Sequence, residues 1–80
     1  MSGKLFYVAT SKFKEFLSGI DGKHSKLASI AGVSARTIAR IKVGGRTNSG
    51  TAKDVYKASC EQQFGYAGEM ESAFCKEQKD

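Results

Sequence analysis

The sequence predicts an all-α fold: a compact domain of four or five helices with a possible short β-strand at its N-terminal end. The chain has 80 residues, 40% of them hydrophobic, which suffices for one domain whose modest core needs no metal or disulfide. Apolar residues recur at helical spacing along most of the chain. Ser, Thr or Asn stands before these segments, where its side chain can cap a helix. We therefore treat residues 1–80 as one domain.

The possible strand is the segment from Lys4 to Ala9. KLFYVA is short, continuous, aromatic and β-branched, but its pattern alone does not separate a strand from the start of a helix. A strand here needs a partner, because a lone strand is not stable. That partner is either the C-terminal region or the same strand in a second subunit.

The first helix is predicted to follow Thr10 and Ser11, either of which can cap it. Its apolar residues fall at i, i+3, i+4 and i+7, the spacing of one helical stripe. They are Phe13, Phe16, Leu17 and Ile20. The pair Asp21-Gly22 is a turn signal that separates this helix from the next.

Two further helices are predicted around Gly32. Ser25 can cap the earlier one, and Gly32 ends it, as glycines at helix C-termini do. Ser34 then caps a third helix with Ile38 and Ile41 inward, which ends at Gly44-Gly45.

The polar loop RTNS leads to a fourth predicted helix. Asn48 or Ser49 caps this helix, which could extend to Phe64. Residues 67–80 form either an extra helix or a frayed tail. Three of them have helical spacing, namely Met70, Ala73 and Phe74.

Charge is concentrated in the middle of the chain. The net charge is +5 and the pI is about 9.4. Residues 34–57 contain six Lys or Arg and one Asp, whereas residues 58–80 contain five acidic and two basic residues. A basic centre favours an anionic partner, with nucleic acid ahead of a membrane surface. No apolar run is long enough to span a membrane.

The residues that could carry metal, redox or catalytic chemistry are few. Cys60 and Cys75 lack C-x-x-C spacing and lie far from the single histidine, so zinc is not expected. Without a secretory signal, both are predicted to be reduced, mostly buried thiols of a cytoplasmic protein. The loop from Gly45 has the G-x-x-x-x-G-T pattern but lacks the lysine of a phosphate loop. We predict no enzymatic activity, no cofactor and no small-molecule substrate.

The twenty residues from His24 to Val43 resemble the helix-turn-helix of phage repressors and Cro proteins. Ala28 is small where two helices would cross closely, and Gly32 can take a left-handed conformation in a short turn. The apolar seam of such a motif would be Leu27, Ala31, Val33, Ile38 and Ile41. The run GVS-x-x-T-I-x-R-I also resembles, more weakly, the headpiece of lac-repressor-type regulators.

The resemblance implies that the helix from Ser34 to Val43 enters the major groove of DNA. The base-reading residues would then be Ala35, Arg36, Ala39 and Arg40, since arginine can bind guanine O6 and N7 with two hydrogen bonds. Other residues would contact phosphates and so position the protein. They are His24, Ser25, Ser34, Thr37, Lys42, Arg46, Thr47, Asn48, Ser49 and Lys53.

The predicted function is sequence-specific binding of double-stranded DNA by a transcriptional regulator, a repressor of phage or mobile-element type acting at the nucleoid of a bacterial host. A homodimer on a palindromic operator is expected, with half-site centres roughly 34 Å apart. Its interface would use the Lys4–Val8 segment and the tail around Met70 and Phe74. Two alternatives remain open: an excisionase-like DNA architectural factor, and a protein-interaction module such as an antirepressor or antitoxin.

Overall fold

The computed structural model describes the backbone of residues 5–78 and the side chains of residues 6–76. Within this range the chain forms β1 (Leu5–Ala9), α1 (Ser11–Gly19), α2 (His24–Ala31), α3 (Ala35–Lys42), α4 (Ser49–Ser59), α5 (Met70–Ala73) and β2 (Phe74–Gln78). The predicted helical domain with a short N-terminal strand is therefore confirmed. Lys4, the predicted first residue of that strand, lies outside the described residues. None of the helices described is long and apolar enough to cross a membrane.

The partner of β1 is the C-terminal segment of the same chain. β1 pairs antiparallel with β2, with Leu5 opposite Gln78 and Ala9 opposite Phe74. Of the C-terminal helix predicted within residues 67–80, only the four residues of α5 are helical. Phe74 ends it because its backbone is extended (φ −133°, ψ 138°) and its side chain is buried at 2% exposure. The two segments expected at a dimer interface thus pair with each other, so an interface between subunits would need the surface they leave exposed.

Three of the predicted caps are confirmed, and each fixes where a helix begins. Thr10 precedes α1, and its Oγ1 accepts a hydrogen bond from the Phe13 N–H at 3.3 Å. Ser34 and Asn48 cap α3 and α4 in the same way. These side chains satisfy N–H groups that the first helical turn leaves unpaired.

Two predicted helix ends are wrong. α2 begins at His24 rather than after Ser25, and its N-cap residue, Lys23, makes no side-chain capping bond. α4 ends at Ser59 and does not reach Phe64. The chain turns away there, because the Tyr66 N–H reaches back to the Ser59 carbonyl at 3.0 Å, and this turn buries Phe64.

Every helix and both strands contribute to the core, and Phe13 of α1 lies at the centre of its aromatic cluster. Phe13 is fully buried and is surrounded by Phe16, Tyr66 and Phe74, with ring centroids 5.6, 5.1 and 4.9 Å away. The predicted α1 stripe is therefore confirmed as a core face. Leu17 is also fully buried, and the other stripe residues, Phe16 and Ile20, are half-buried against it.

Both cysteines are free and exposed, so the prediction that they are mostly buried is wrong. Cys60 is exposed because α4 stops just before it, and Cys75 because it alternates with the buried Phe74 along β2.

A hydrogen bond with the Cys60 side chain raises the pKa of the Tyr56 hydroxyl above its usual value. The same hydroxyl donates to the Gly68 carbonyl at 2.7 Å, which ties α4 to the loop before α5.

Candidate nucleic-acid interface

A tight turn joins α2 to α3 and sets the angle between them. Gly32 has φ 78° and ψ 27°, the left-handed conformation that a side chain would strain. The next residue, Val33, donates its N–H to the Ala28 carbonyl at 2.9 Å and so completes the turn. Ala28 is buried, in agreement with the prediction that a small residue is needed at this position.

The seam between these helices is apolar and closed. Ile38 and Ile41 on α3 are both 0% exposed, as is Leu27 on α2. Ala31 is also buried, and Val33 is half-buried at the edge of the core. The two isoleucines therefore hold one face of α3 against the domain and leave the opposite face outside.

All four predicted base-reading residues lie on that outer face and are exposed: Ala35, Arg36, Ala39 and Arg40. Arg36 and Arg40 are four residues apart, so they share one side of the helix. The stem of Arg40 also packs against Gly45, where an added Cβ would come within 2.2 Å of Arg40 Cγ. This contact holds Arg40 beside the loop that follows α3.

A polar notch of about 270 Å³ opens next to this face. It is bounded by the capped N-termini of two helices, α3 behind Ser34 and α4 behind Asn48. Two arginines and no acidic residue line it; the full lining is Val33, Ser34, Thr37, Arg40, Arg46, Thr47, Asn48 and Thr51. The Thr37 and Thr51 N–H groups already donate to the Ser34 and Asn48 caps, so the two helices contribute the positive ends of their dipoles. Arginine adds a charge that binds phosphate oxygens with two parallel bonds. The notch therefore has the chemistry of an anion site.

The loop that forms one wall of the notch is fixed by β1. Thr47 and Tyr7 exchange both backbone hydrogen bonds, at 2.7 and 2.9 Å. The Arg46 guanidinium lies over the Phe6 ring at 5.9 Å, within the range of a cation–π contact. β1 thus holds β2 on one side and this loop on the other, and its pairing with the loop was not predicted.

Five of the ten predicted phosphate-contacting residues line the notch: Ser34, Thr37, Arg46, Thr47 and Asn48. Ser49 is the exposed first residue of α4 beside them. Ser25 and Lys53 are exposed but do not line the notch. The prediction missed Val33 and Thr51, although Thr51 could be inferred from the Asn48 cap that binds its N–H.

His24 and Lys42 have partners within the protein. The His24 side chain is only 16% exposed, and its Nε2–H donates to the Leu17 carbonyl at 2.7 Å. Its Nδ1 lies 3.9 Å from the Asp21 carboxylate, and Lys42 Nζ lies 3.8 Å from the same carboxylate as an ion pair. His24 therefore links α2 to α1, while Lys42 connects the end of α3 to the turn before α2.

Substituting Gly45 by Ala should destabilise the domain by about 1–3 kcal/mol, because the new Cβ overlaps the Arg40 stem. The same Cβ would also come within 3.0 Å of the Arg40 carbonyl oxygen, which belongs to the backbone and cannot swing aside. Urea unfolding would measure the loss. Gly50→Ala is the matched control, since its Cβ meets nothing closer than 3.6 Å, and it should be neutral or stabilising. Equal stability of Gly45→Ala and the wild type would show that the Arg40 contact is not rigid.

Comparison with protein-family models, with curated proteins and with solved structures finds no match to this chain. Among the residues described, no group of three or more His, Cys, Asp or Glu could hold a metal ion.

Proposed function

We propose that this protein binds double-stranded DNA sequence-specifically, with α3 in the major groove. The observation that carries the proposal is the juxtaposition of an exposed, arginine-bearing helix face with a basic notch at two helix N-termini. A DNA duplex offers a binding partner for each part of this surface. Base edges in the major groove can meet the helix face, and phosphates along the rim of the groove can meet the notch. The regulator is proposed to act in the cytoplasm of a bacterial host, at the nucleoid, as a repressor of phage or mobile-element type.

The two parts of the surface have different roles in this proposal. Arg36, on the outer face of α3, contacts guanine in the groove. Arg46 and the start of α4, before the Thr51 N–H that Asn48 caps, contact the phosphates of one strand and set how deeply α3 enters. Arg40 lies between the two, with its stem against Gly45 and its side chain at the notch. It is therefore the residue that couples base contacts to backbone contacts.

A single α3 helix covers only one short half-site, so we propose that two copies bind a palindromic operator. The two α3 helices would then lie roughly 34 Å apart, one turn of DNA. The subunits would have to meet outside the β1–β2 pairing, because these strands already bond to each other.

The salt dependence of duplex binding tests the proposal. Fluorescence anisotropy should show binding to duplex DNA that weakens linearly with log salt concentration, with a slope of about 0.9 for each phosphate contacted. Arg46→Ala should reduce that slope by about 1 for each bound subunit, and for all sequences alike. Lys57→Ala is the matched control: it removes the same charge, but Lys57 lies beside Ile30 in the groove between α2 and α4. An equal change in slope for both variants would contradict the notch as the phosphate site.

Two other functions would give different results. An excisionase-like architectural factor would bend its duplex and bind beside recombination sites rather than cover a promoter, which a circular-permutation gel assay detects. An antirepressor or antitoxin would bind no duplex even at low salt and would instead form a stable complex with another protein.

A further inference from the structure

One large apolar side chain is conspicuously exposed at the end of α3. Val43 is 79% exposed, compared with 42% for Ile30, the other exposed large apolar residue in the part of the chain described. The same helix buries Ile38 and Ile41 completely. Val43 therefore lies outside the core, although its branched side chain would gain free energy from burial.

Val43 continues the arginine-bearing side of α3. Its N–H bonds to the Ala39 carbonyl at 3.3 Å, so the chain still follows the helical path at this position. Arg36, Arg40 and Val43 are spaced i, i+4 and i+7, which places them along one stripe. Val43 thus lies on the face that the proposed function directs toward the major groove.

The surroundings of Val43 are basic. Lys42 precedes it, and Lys14 Nζ comes within 3.7 Å of the position that a Cβ on Gly44 would take. An apolar group flanked by cations is complementary to the major groove at a thymine. There the thymine methyl group can meet the apolar side chain, and the phosphates on either side can meet the cations. The 5-methyl of thymine is the apolar group that distinguishes T·A from the other base pairs there.

We infer that Val43 is a specificity residue that contacts the 5-methyl group of one thymine in each half-site. This inference rests on the proposed function and adds a base preference to it. Val43 lies at the C-terminal end of α3, whereas Ala35 lies at its N-terminal end. The thymine is therefore at one end of the contacted bases, and the bases nearest Ala35 are at the other end.

Replacing thymine by uracil tests the inference, because it removes only the methyl group. Each thymine of a selected duplex is replaced in turn, and binding is measured for the wild type and for Val43→Ala. At one thymine per half-site, uracil should weaken wild-type binding about four-fold, the effect of one methyl group losing its apolar contact. Val43→Ala should bind the thymine and uracil duplexes equally.

Two controls accompany this comparison. Ile30→Ala shortens the other exposed apolar residue and should keep the wild-type sensitivity to uracil. Val43→Thr keeps the branched shape and one methyl group, so it should retain part of the sensitivity. A melting curve confirms that each variant is folded.

The inference fails if uracil has no effect at any position, or if Val43→Ala stays as sensitive as the wild type. In both cases the wild type still binds its selected duplex, so the proposed function survives. If the wild type prefers no duplex sequence, the proposed function fails and the inference fails with it.

Discussion

Replacing Ile38 by Asp is expected to abolish the cooperative unfolding transition of the domain. Ile38 is 0% exposed in the seam between α2 and α3, so the substitution both removes an apolar contact and buries a carboxylate. Together these effects should cost more than about 4 kcal/mol. At about 0.05–0.15 kcal/mol per residue, a domain of 80 residues has a stability of about 4–12 kcal/mol, so a loss above about 4 kcal/mol leaves it unfolded or marginally stable. Circular dichroism during heating would show a loss of helix without a sharp midpoint.

Ala39→Asp is the matched control for this experiment. It introduces the same charge on the same helix one residue later, but Ala39 is exposed. Its cost should be about 0.5–1 kcal/mol, mainly the lower helix propensity of Asp. An Ile38→Asp variant as stable as Ala39→Asp would show that α3 is rotated and that the arginine face is not the outer one.

Arg36→Ala is expected to cause the largest loss of sequence preference without loss of folding. An arginine that binds guanine with two bonds contributes roughly 1–3 kcal/mol of discrimination, which is about 5- to 150-fold in relative affinity. The variant should therefore accept any base at one position of each half-site. Competition between a selected duplex and its single-base variants would measure this change.

Arg46→Ala provides the comparison, because it removes an arginine from the notch rather than from the outer face of α3. It should weaken binding to all duplexes by the same factor and leave the preferred sequence unchanged. If Arg36→Ala and Arg46→Ala lose affinity equally across all sequences, Arg36 does not contact a base.

Local signals in the sequence predicted most of the helical structure. The α1 stripe follows directly from its i, i+3, i+4 spacing, and the caps at Thr10, Ser34 and Asn48 lie one residue before their helices. Gly32 was predicted to be left-handed because a short turn requires it, and its φ of 78° agrees. These features depend on neighbours within a few residues, which is the range over which a sequence pattern is informative.

The features that were missed depend on contacts between distant parts of the chain. Phe74 has helical spacing with Met70, but pairing with β1 and burial against Phe13 draw it into a strand. Cys75 is then exposed by strand alternation, which a helical interpretation could not anticipate. Such pairing joins residues that are about seventy positions apart, and no local pattern encodes it.

Part of the candidate site can be predicted from local sequence and part cannot. The exposure of the α3 arginines follows from the positions of Ile38 and Ile41, which fix the inner face of the helix. The notch cannot be predicted in this way, because it forms where the loop after α3 pairs with Tyr7 and the α4 N-terminus lies beside Ser34. His24 was assigned to phosphate from its place in the motif, whereas its ring is largely enclosed and bonded to Leu17.

Selection of binding sites from a random pool of duplexes, with the wild-type protein at physiological salt, tests the central claim most directly. The proposal predicts enrichment of one sequence with two inverted half-sites, whose centres are about one helical turn apart and which contain guanine and thymine at fixed positions. Retention of duplexes with no enriched sequence would contradict it, because the outer face of α3 would then bind the phosphate backbone alone.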